Sequence, residues 1–163
     1  MVNEGQIWKL LEGVYDPEVP VLTVLDLGVV RNVMIKQDTV CITITPTYSG
    51  CPAMKTIEED IQRKLKEQIH PSMHITIDTI LSPAWTTDWI SEDGRTKLKE
   101  YGIAPPEEEV DKSVLFADPP VVPCPYCHSK ETKMVSQFGS TACKAQYSCL
   151  NCSEPFDYFK CLK

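Results

Sequence analysis

The spacing at which apolar residues recur among polar ones predicts helices and strands in the first part of the chain. Residues 7–11 place apolar side chains on one side of a short predicted helix, which Gly13 ends. Residues 27–35 and 39–45 read as strands, and the second alternates apolar with polar or small side chains. The polar residues 36–38 join them, which predicts a β-hairpin.

A second helix is predicted from Pro52, because proline fits the first helical turn and apolar residues then recur every four positions. These residues are Ile57, Ile61, Leu65 and Ile69. Pro71 ends the helix, and the alternation over residues 75–81 predicts a third strand. Ser91 begins a last helix that Gly102 closes. The pattern predicts an α+β fold, a small sheet packed with helices.

A proline-rich acidic stretch over residues 105–120 has the composition of a linker. It separates a predicted domain over residues 1–104 from a small module over residues 121–163. The total of 163 residues is enough for one ordinary domain and one small one.

Charge is distributed unevenly along the chain. Residues 1–120 hold 11 Lys/Arg and 20 Asp/Glu, whereas residues 121–163 hold 5 and 3. This balance repels phosphate backbones, so we predict no nucleic-acid partner. No apolar run approaches the length of a membrane span and the first residues do not resemble a secretory signal, so we predict a cytoplasmic protein without a membrane partner.

Eight cysteines are many for a cytosolic chain, where thiols stay reduced, and six of them follow residue 120. Four form two Cys-x-x-Cys pairs, Cys124 with Cys127 and Cys149 with Cys152, separated by 21 residues. Two such turns supply the four tetrahedral thiolates of a closed structural zinc site. Because so short a module cannot build a core of its own, the metal would supply most of its folding energy.

Other interpretations of these pairs stay open. Cys124-Pro-Tyr-Cys127 matches a glutaredoxin active site, but too little chain follows for a thioredoxin-like fold. His128 completes a haem-attachment pattern, which a second Cys-x-x-Cys argues against. An iron-sulfur cluster could use the same thiolates, since spacing does not distinguish iron from zinc.

Three of the remaining cysteines are candidate cluster ligands or reactive thiols: Cys51, Cys143 and Cys161. Either Cys143 or Cys161 could instead be a packing thiol without a reactive role. Cys51 falls near the start of the second predicted helix, where the helix dipole should lower its thiol pKa. Asp26, Thr47, Tyr48 and Ser49 are expected to shape a pocket around Cys51, although Asp26 could equally cap a turn and Thr47 a strand end. Cys41 lies within a predicted strand and is interpreted as a small buried hydrophobe.

Specific motifs in this chain resemble known families. Residues 15–85 resemble the SufT-like domain of metal-sulfur cluster assembly proteins through three motifs: Asp16-Pro17-Glu18, Asp26-Leu27-Gly28-Val29-Val30 and Thr45-Pro46-Thr47-Tyr48-Ser49-Gly50-Cys51-Pro52. Further motifs extend the resemblance over nearly the whole length to the PaaD family of phenylacetate-degradation proteins. They are Pro83-Ala84-Trp85-Thr86-Thr87-Asp88-Trp89, Tyr101-Gly102-Ile103, Phe138-Gly139-Ser140-Thr141-Ala142-Cys143-Lys144 and Glu154-Pro155-Phe156-Asp157-Tyr158-Phe159-Lys160-Cys161.

The resemblance implies an accessory protein for maturation or repair of a metal centre in phenylacetyl-CoA epoxidase. The implied partners are its di-iron hydroxylase and its reductase, which carries flavin and a [2Fe-2S] cluster. The implied cofactors are structural zinc and a transient iron-sulfur cluster. The family's reactive cysteine falls on Cys51, and the aspartate of its Asp-Pro-Glu motif falls on Asp16, which is expected to belong to the pocket around Cys51.

Two other classes of function compete with this one. A non-catalytic adaptor would dock epoxidase subunits without handling metal itself. An enzyme is not favoured, because there is no phosphate loop, no nucleotide fingerprint and no base placed beside Cys51 in the sequence. The sequence does not set the oligomeric state, and a dimer stays open.

Overall fold

A computed structural model describes residues 2–106 and 119–160. The chain divides into two compact units, residues 1–94 and 95–163, and each is described by itself below. Both units combine short helices or turns with a small sheet, so the predicted α+β class is confirmed. No helix among the described residues is long and apolar enough to cross a membrane.

The elements follow the predicted order in the first unit. In chain order the structure contains α1 (Glu4–Leu11), β1 (Val30–Lys36), β2 (Thr39–Ile44), α2 (Ala53–Lys66), β3 (His74–Thr79), a 3-10 turn (Thr87–Trp89), α3 (Glu92–Glu100), β4 (Ile103–Ala104), β5 (Thr132–Ser136), β6 (Lys144–Cys149) and β7 (Pro155–Phe159). The largest differences from the predicted ends are at the first strand and the second helix, while β3 ends two residues earlier than predicted. The first strand begins at Val30, because residues 23–28 form a turn in which Thr23 and Asp26 exchange side-chain hydrogen bonds with each other's N–H groups. The second helix ends at Lys66, with Glu67 as its C-cap, well before Pro71.

The sheet of the first unit has the order β1-β2-β3. β1 and β2 form the predicted antiparallel hairpin, and α2 crosses over to bring β3 parallel to β2. β2 buries every second residue, Val40, Ile42 and Ile44, and α2 buries Ile57, Ile61 and Leu65 at helical spacing. These two apolar faces, with Ile7 and Leu11 of α1, form the core that holds the loop before α2 in place.

The turn at Gly28 is held by two tryptophans. The Trp85 Nε1–H donates to the Leu27 carbonyl at 2.7 Å, and the Arg31 guanidinium lies 3.5 Å from the centre of the Trp89 ring. Gly28 has a φ of +67°, and a Cβ atom there would lie 2.5 Å from the Trp89 carbonyl oxygen. The motifs around Gly28 and Trp89 therefore pack against each other, and only glycine fits between them.

Substitution Gly28→Ala is expected to lower the free energy of unfolding of the first unit by about 3 kcal/mol, from backbone strain plus the contact with Trp89. Gly50→Ala is the matched control, since Gly50 also has a positive φ, of +81°, but no atom within 4 Å of its added Cβ. It should cost about 1–2 kcal/mol. All three tryptophans of the chain, Trp8, Trp85 and Trp89, lie in the first unit, so their fluorescence during urea unfolding reports on this unit. Equal losses in the two variants would contradict the packing argument.

The second unit contains a four-stranded sheet in the order β4-β7-β6-β5. β5, β6 and β7 form an antiparallel ribbon, and the two-residue strand β4 adds to β7 in parallel. The predicted boundary after residue 104 therefore differs from the observed division, because β4 pairs within the second unit. Most of the predicted linker, residues 107–118, lies outside the described residues.

Aromatic side chains fill the interior of the ribbon. Tyr147 stacks on Phe156 with ring centres 5.8 Å apart and meets Tyr158 edge-on at 5.7 Å. The same cluster includes the buried side chains of Cys124 and Cys149. The apolar core of this unit is thus continuous with the cysteine site.

Candidate functional site

The structure brings together the four cysteines of the two Cys-x-x-Cys pairs. The Sγ atoms of Cys124 and Cys152 lie 3.7 Å apart, and those of Cys127 and Cys149 lie 3.5 Å apart. All four sulfurs lie within 4.8 Å of one another. Cys124 and Cys149 are buried, whereas Cys127 and Cys152 are partly exposed. The cluster therefore sits at the end of the ribbon, with one side facing solvent.

Each pair of cysteines lies on a tight turn of the same design. Cys124 and Cys127 precede β5, while Cys149 ends β6 and Cys152 precedes β7. The residue that follows each pair has a positive φ, +62° at His128 and +63° at Ser153. Such turns fold the backbone so that both thiols of a pair point to one side. His128 thus has a backbone role in this turn.

The spacing of the sulfurs fits a single tetrahedral ion. Two thiolates bound to one ion at about 2.3 Å can lie at most about 4.6 Å apart, and about 3.8 Å apart at the tetrahedral angle. Two of the six separations, 3.5 and 3.7 Å, match the tetrahedral value and are too long for disulfides. The other sulfurs lie within 4.8 Å of one another, so a shift of a few tenths of an ångström at most brings all four to one ion. A cluster with several irons would distribute the thiolates over different ions and spread them further apart. The donor set and geometry fit zinc.

The thiols of the site affect one another's protonation. Hydrogen bonding from the Ser129 backbone and from the Asn151 side chain lowers the pKa of Cys127 to about 6. At Cys152 the Glu154 backbone also favours the thiolate, but desolvation and the neighbouring thiols outweigh it and raise its pKa to about 12. The first thiolate forms readily, and its negative charge opposes deprotonation of the next thiol. A divalent cation bound among the thiolates would relieve this repulsion.

Cys51 lies in a separate place, in the loop between β2 and α2. Its N–H donates to the Tyr48 carbonyl at 3.2 Å, and Gly50 takes a positive φ of +81° to close this turn. The Thr47 hydroxyl donates to the Cys51 Sγ at 3.9 Å. α2 begins two residues later at Ala53, with Pro52 as its N-cap. The thiol is half-buried beside the first turn of the helix.

Burial raises the pKa of the Cys51 thiol above its ordinary value. The Ala53 N–H and the Thr47 and Tyr48 side chains act in the opposite direction, and the Glu18 carboxylate adds to the increase. The expectation that the helix terminus lowers this pKa is therefore wrong. Desolvation of the thiolate and a nearby negative charge outweigh the helix N–H group.

Asp16 shapes the turn that carries Glu18. Its Oδ1 accepts hydrogen bonds from the N–H groups of Glu18 at 2.8 Å and of Val19 at 2.7 Å. Asp16 is buried, and Glu18 is close enough for its charge to act on Cys51. The Asp-Pro-Glu motif thus reaches Cys51 through its glutamate.

The other two predicted pocket residues are placed differently. Asp26 accepts from the Thr23 N–H at 3.0 Å and from the Ser91 hydroxyl at 3.0 Å, which joins the turn before β1 to the start of α3. This is the turn-capping role that the sequence left open for Asp26. Ser49 is exposed in the loop next to Cys51.

Cys143 lies in the second unit, just before β6, and its thiol is buried. The Thr141 hydroxyl lies 3.1 Å from the Cys143 Sγ. The backbone carbonyl of Cys143 accepts a hydrogen bond from the Lys160 N–H at 2.8 Å. Burial lowers the pKa of the Lys160 amine, while a charge on Cys143 opposes that shift. Cys161 lies outside the described residues. Cys41, in β2, is half-buried rather than fully buried as expected.

Sequence reasoning missed Glu18 and Lys160 as neighbours of the candidate thiols. Glu18 belongs to a motif that was recognised, but its distance from Cys51 in the sequence hid the electrostatic interaction between them. Lys160 lies opposite Cys143 because β6 and β7 are paired, and that pairing was not predicted.

Both halves of the chain match protein-family models. Residues 4–77 match a family described as iron-sulfur cluster assembly protein, and residues 108–160 match the PaaD zinc β ribbon domain. Among solved structures, a domain of unknown function, DUF59, from Bacillus anthracis is similar with a TM-score of 0.54 and 28% identity. The match covers 58% of this chain and 90% of that one.

Two curated relatives are similar in sequence. The Porphyromonas gingivalis protein named Fe-S protein maturation auxiliary factor is 38% identical over 59% of this chain and 90% of its own length. An Escherichia coli K12 protein named as a putative component of 1,2-phenylacetyl-CoA epoxidase is 48% identical over 96% of this chain and 92% of its own length. The resemblance noted in the sequence is therefore confirmed, and the chain belongs to the PaaD family.

Proposed function

We propose that this protein supports maturation or repair of an iron-sulfur or di-iron centre of the phenylacetyl-CoA epoxidase system, and that Cys51 is the thiol that contacts iron or a cluster. The observation that carries this is the division of similarity along the chain. Residues 4–77 match a family described as iron-sulfur cluster assembly protein, and 59% of the chain is similar to a protein named as an Fe-S maturation factor. A protein named as an epoxidase component is similar over 96% of the chain.

The surroundings of Cys51 suit a transient ligand. Its thiol is half-buried and keeps its proton near neutral pH, because its pKa is raised by burial and by Glu18. Binding a soft metal releases that proton and replaces the lost solvation of the thiolate. Binding therefore competes with protonation, which favours a contact that forms and dissociates.

The four-cysteine site has a different task in this proposal. A tetrahedral ion bound by four thiolates has no open coordination position, so it cannot accept a substrate or pass on a ligand. Zinc would be held by Cys124, Cys127, Cys149 and Cys152 and would stabilise the ribbon. The ribbon then serves as a structural module, and the thiol that contacts metal belongs to the other unit.

The test is to produce the reductase and hydroxylase components of the epoxidase together with this protein or its variants. Iron and acid-labile sulfide are then measured in each purified component. We expect Cys51→Ser to reduce the metal content of one component to the level obtained without this protein. Cys41→Ser is the control, because Cys41 is also a half-buried thiol of the first unit but lies in β2. Normal metal content with Cys51→Ser would refute the proposal for Cys51.

A second candidate function is an adaptor that docks epoxidase subunits without handling metal. The observation in its favour is the set of large apolar side chains that the second unit exposes, Val121, Tyr126, Val135, Phe138 and Leu150. In this case Val135→Glu with Leu150→Glu would stop co-purification with the epoxidase components, and Cys51→Ser would leave their metal content unchanged. The two functions thus predict opposite results for Cys51→Ser.

A further inference from the structure

β3 ends the sheet of the first unit and leaves one side open. The strand order is β1-β2-β3, and within the described residues no strand pairs with the outer side of β3. None of the six residues of β3 is buried, whereas β2 buries three of its six. Such an edge presents a row of backbone N–H and C=O groups to another strand.

The hydrogen bonds of β3 show which backbone groups face outward. The His74 N–H donates to the Asp38 carbonyl at 2.7 Å, just before β2 begins. The Ile80 N–H donates to the carbonyl of Ile44, the last residue of β2, at 2.9 Å. Backbone groups alternate between the two sides of a strand, so the even-numbered residues face β2. Ile75 and Ile77 therefore direct their N–H and C=O groups to the open side.

The sequence of β3 is complementary to itself. When two copies are aligned antiparallel about Thr76, His74 lies opposite Asp78 of the second copy, and Ile75 lies opposite Ile77. The twofold axis repeats each of these pairs and sets Thr76 opposite itself. An imidazole N–H can donate to a carboxylate across two strands, and apolar pairs and threonine pairs also stabilise neighbouring strands.

The same alignment satisfies the backbone. Ile75 and Ile77 form the hydrogen-bonded pairs, because their N–H and C=O groups point outward. The pairs of His74 with Asp78 fall at non-hydrogen-bonded positions, where opposite side chains approach most closely. Shifting the strands by one residue would put side chains of opposite faces together, and shifting them by two would separate His74 from Asp78.

We propose that two copies of this protein pair through β3, antiparallel about Thr76, and join two three-stranded sheets into one of six strands. The interface is the same patch on both copies, as twofold symmetry requires. The occupant of the edge is a second copy because the hydrogen-bonding side chains and the apolar side chains of β3 complement themselves in one register.

The test is sedimentation equilibrium of the full-length protein under reducing conditions over a range of concentrations. The mass should rise from 18.4 kDa for one chain toward twice that value. His74→Asp should weaken the dimer by about tenfold or more, because it sets two pairs of aspartates opposite each other. Asp78→Lys should weaken it as well, because both His74 side chains lose the carboxylate that accepts their hydrogen bond. Mixing the two variants should restore association, since each places the opposite charge across from the other.

Glu59→Lys is the matched control, with the same change of charge as Asp78→Lys at an exposed position of α2. It should leave the dimer intact, and circular dichroism should show that all variants stay folded. A protein that remains monomeric would overturn the proposal, including the case in which the edge binds another protein's strand. A dimer that both β3 variants leave unchanged, or variants that do not associate when mixed, would overturn it as well.

Discussion

Substitution Cys149→Ser is expected to abolish zinc binding by this protein and to unfold the ribbon of the second unit. Cys149 is buried, and its Sγ lies 3.5 Å from that of Cys127. A structural zinc ion contributes on the order of 10 kcal/mol to the folding of small modules. The ribbon has only short strands and one aromatic cluster, so it cannot replace that contribution.

The measurements are the zinc content of the purified protein and circular dichroism on addition of a chelator. The wild-type protein should hold one zinc per chain and lose ribbon structure when the zinc is removed. Because bound thiolates must be deprotonated, the ion should also be released as the pH falls. The Cys149→Ser variant should contain almost no zinc at any pH.

Cys143→Ser is the matched control for this substitution. Cys143 is also a buried thiol of the second unit, but it lies outside the four-cysteine cluster. This variant should keep its zinc and its strands. If Cys143→Ser lost zinc while Cys149→Ser retained it, the assignment of the four ligands would be wrong.

Local sequence patterns predicted most of the first unit, because helices and hairpins depend on neighbours in the sequence. The alternation of Val40, Ile42 and Ile44 and the four-residue spacing of Ile57 and Ile61 each have one simple structural solution, and the structure contains it. The grouping of the four cysteines was equally accessible, since the two Cys-x-x-Cys turns define their own geometry.

The features that sequence did not predict depend on distant parts of the chain. β4 has only two residues, too few for a periodic signal, and it forms because β7 supplies the partner strand. The environment of Cys51 has the same origin. The start of α2 was predicted, and a helix start suggested a lowered pKa for the Cys51 thiol. Burial and the charge of Glu18 instead raise this pKa, and both come from tertiary packing.

That reversal determines how Cys51 should react. Only thiolates are alkylated, and a thiol with a raised pKa is almost entirely protonated at neutral pH. The rate of alkylation of Cys51 by iodoacetamide should therefore rise about tenfold for each pH unit between pH 7 and pH 9 and still be rising at about pH 9. Mass spectrometry of the peptide that contains Cys51 separates its reaction from that of the other cysteines.

Two variants identify the cause of the shift. Glu18→Gln removes a negative charge that raises the pKa, so Cys51 should react faster at a given pH. Thr47→Val removes the hydroxyl that donates to Sγ and favours the thiolate, so Cys51 should react more slowly. A rate that levels off well below pH 8 in the wild-type protein would show that the helix N-terminus dominates after all. Cys51 would then be a permanently available thiolate at neutral pH rather than one that metal binding must deprotonate.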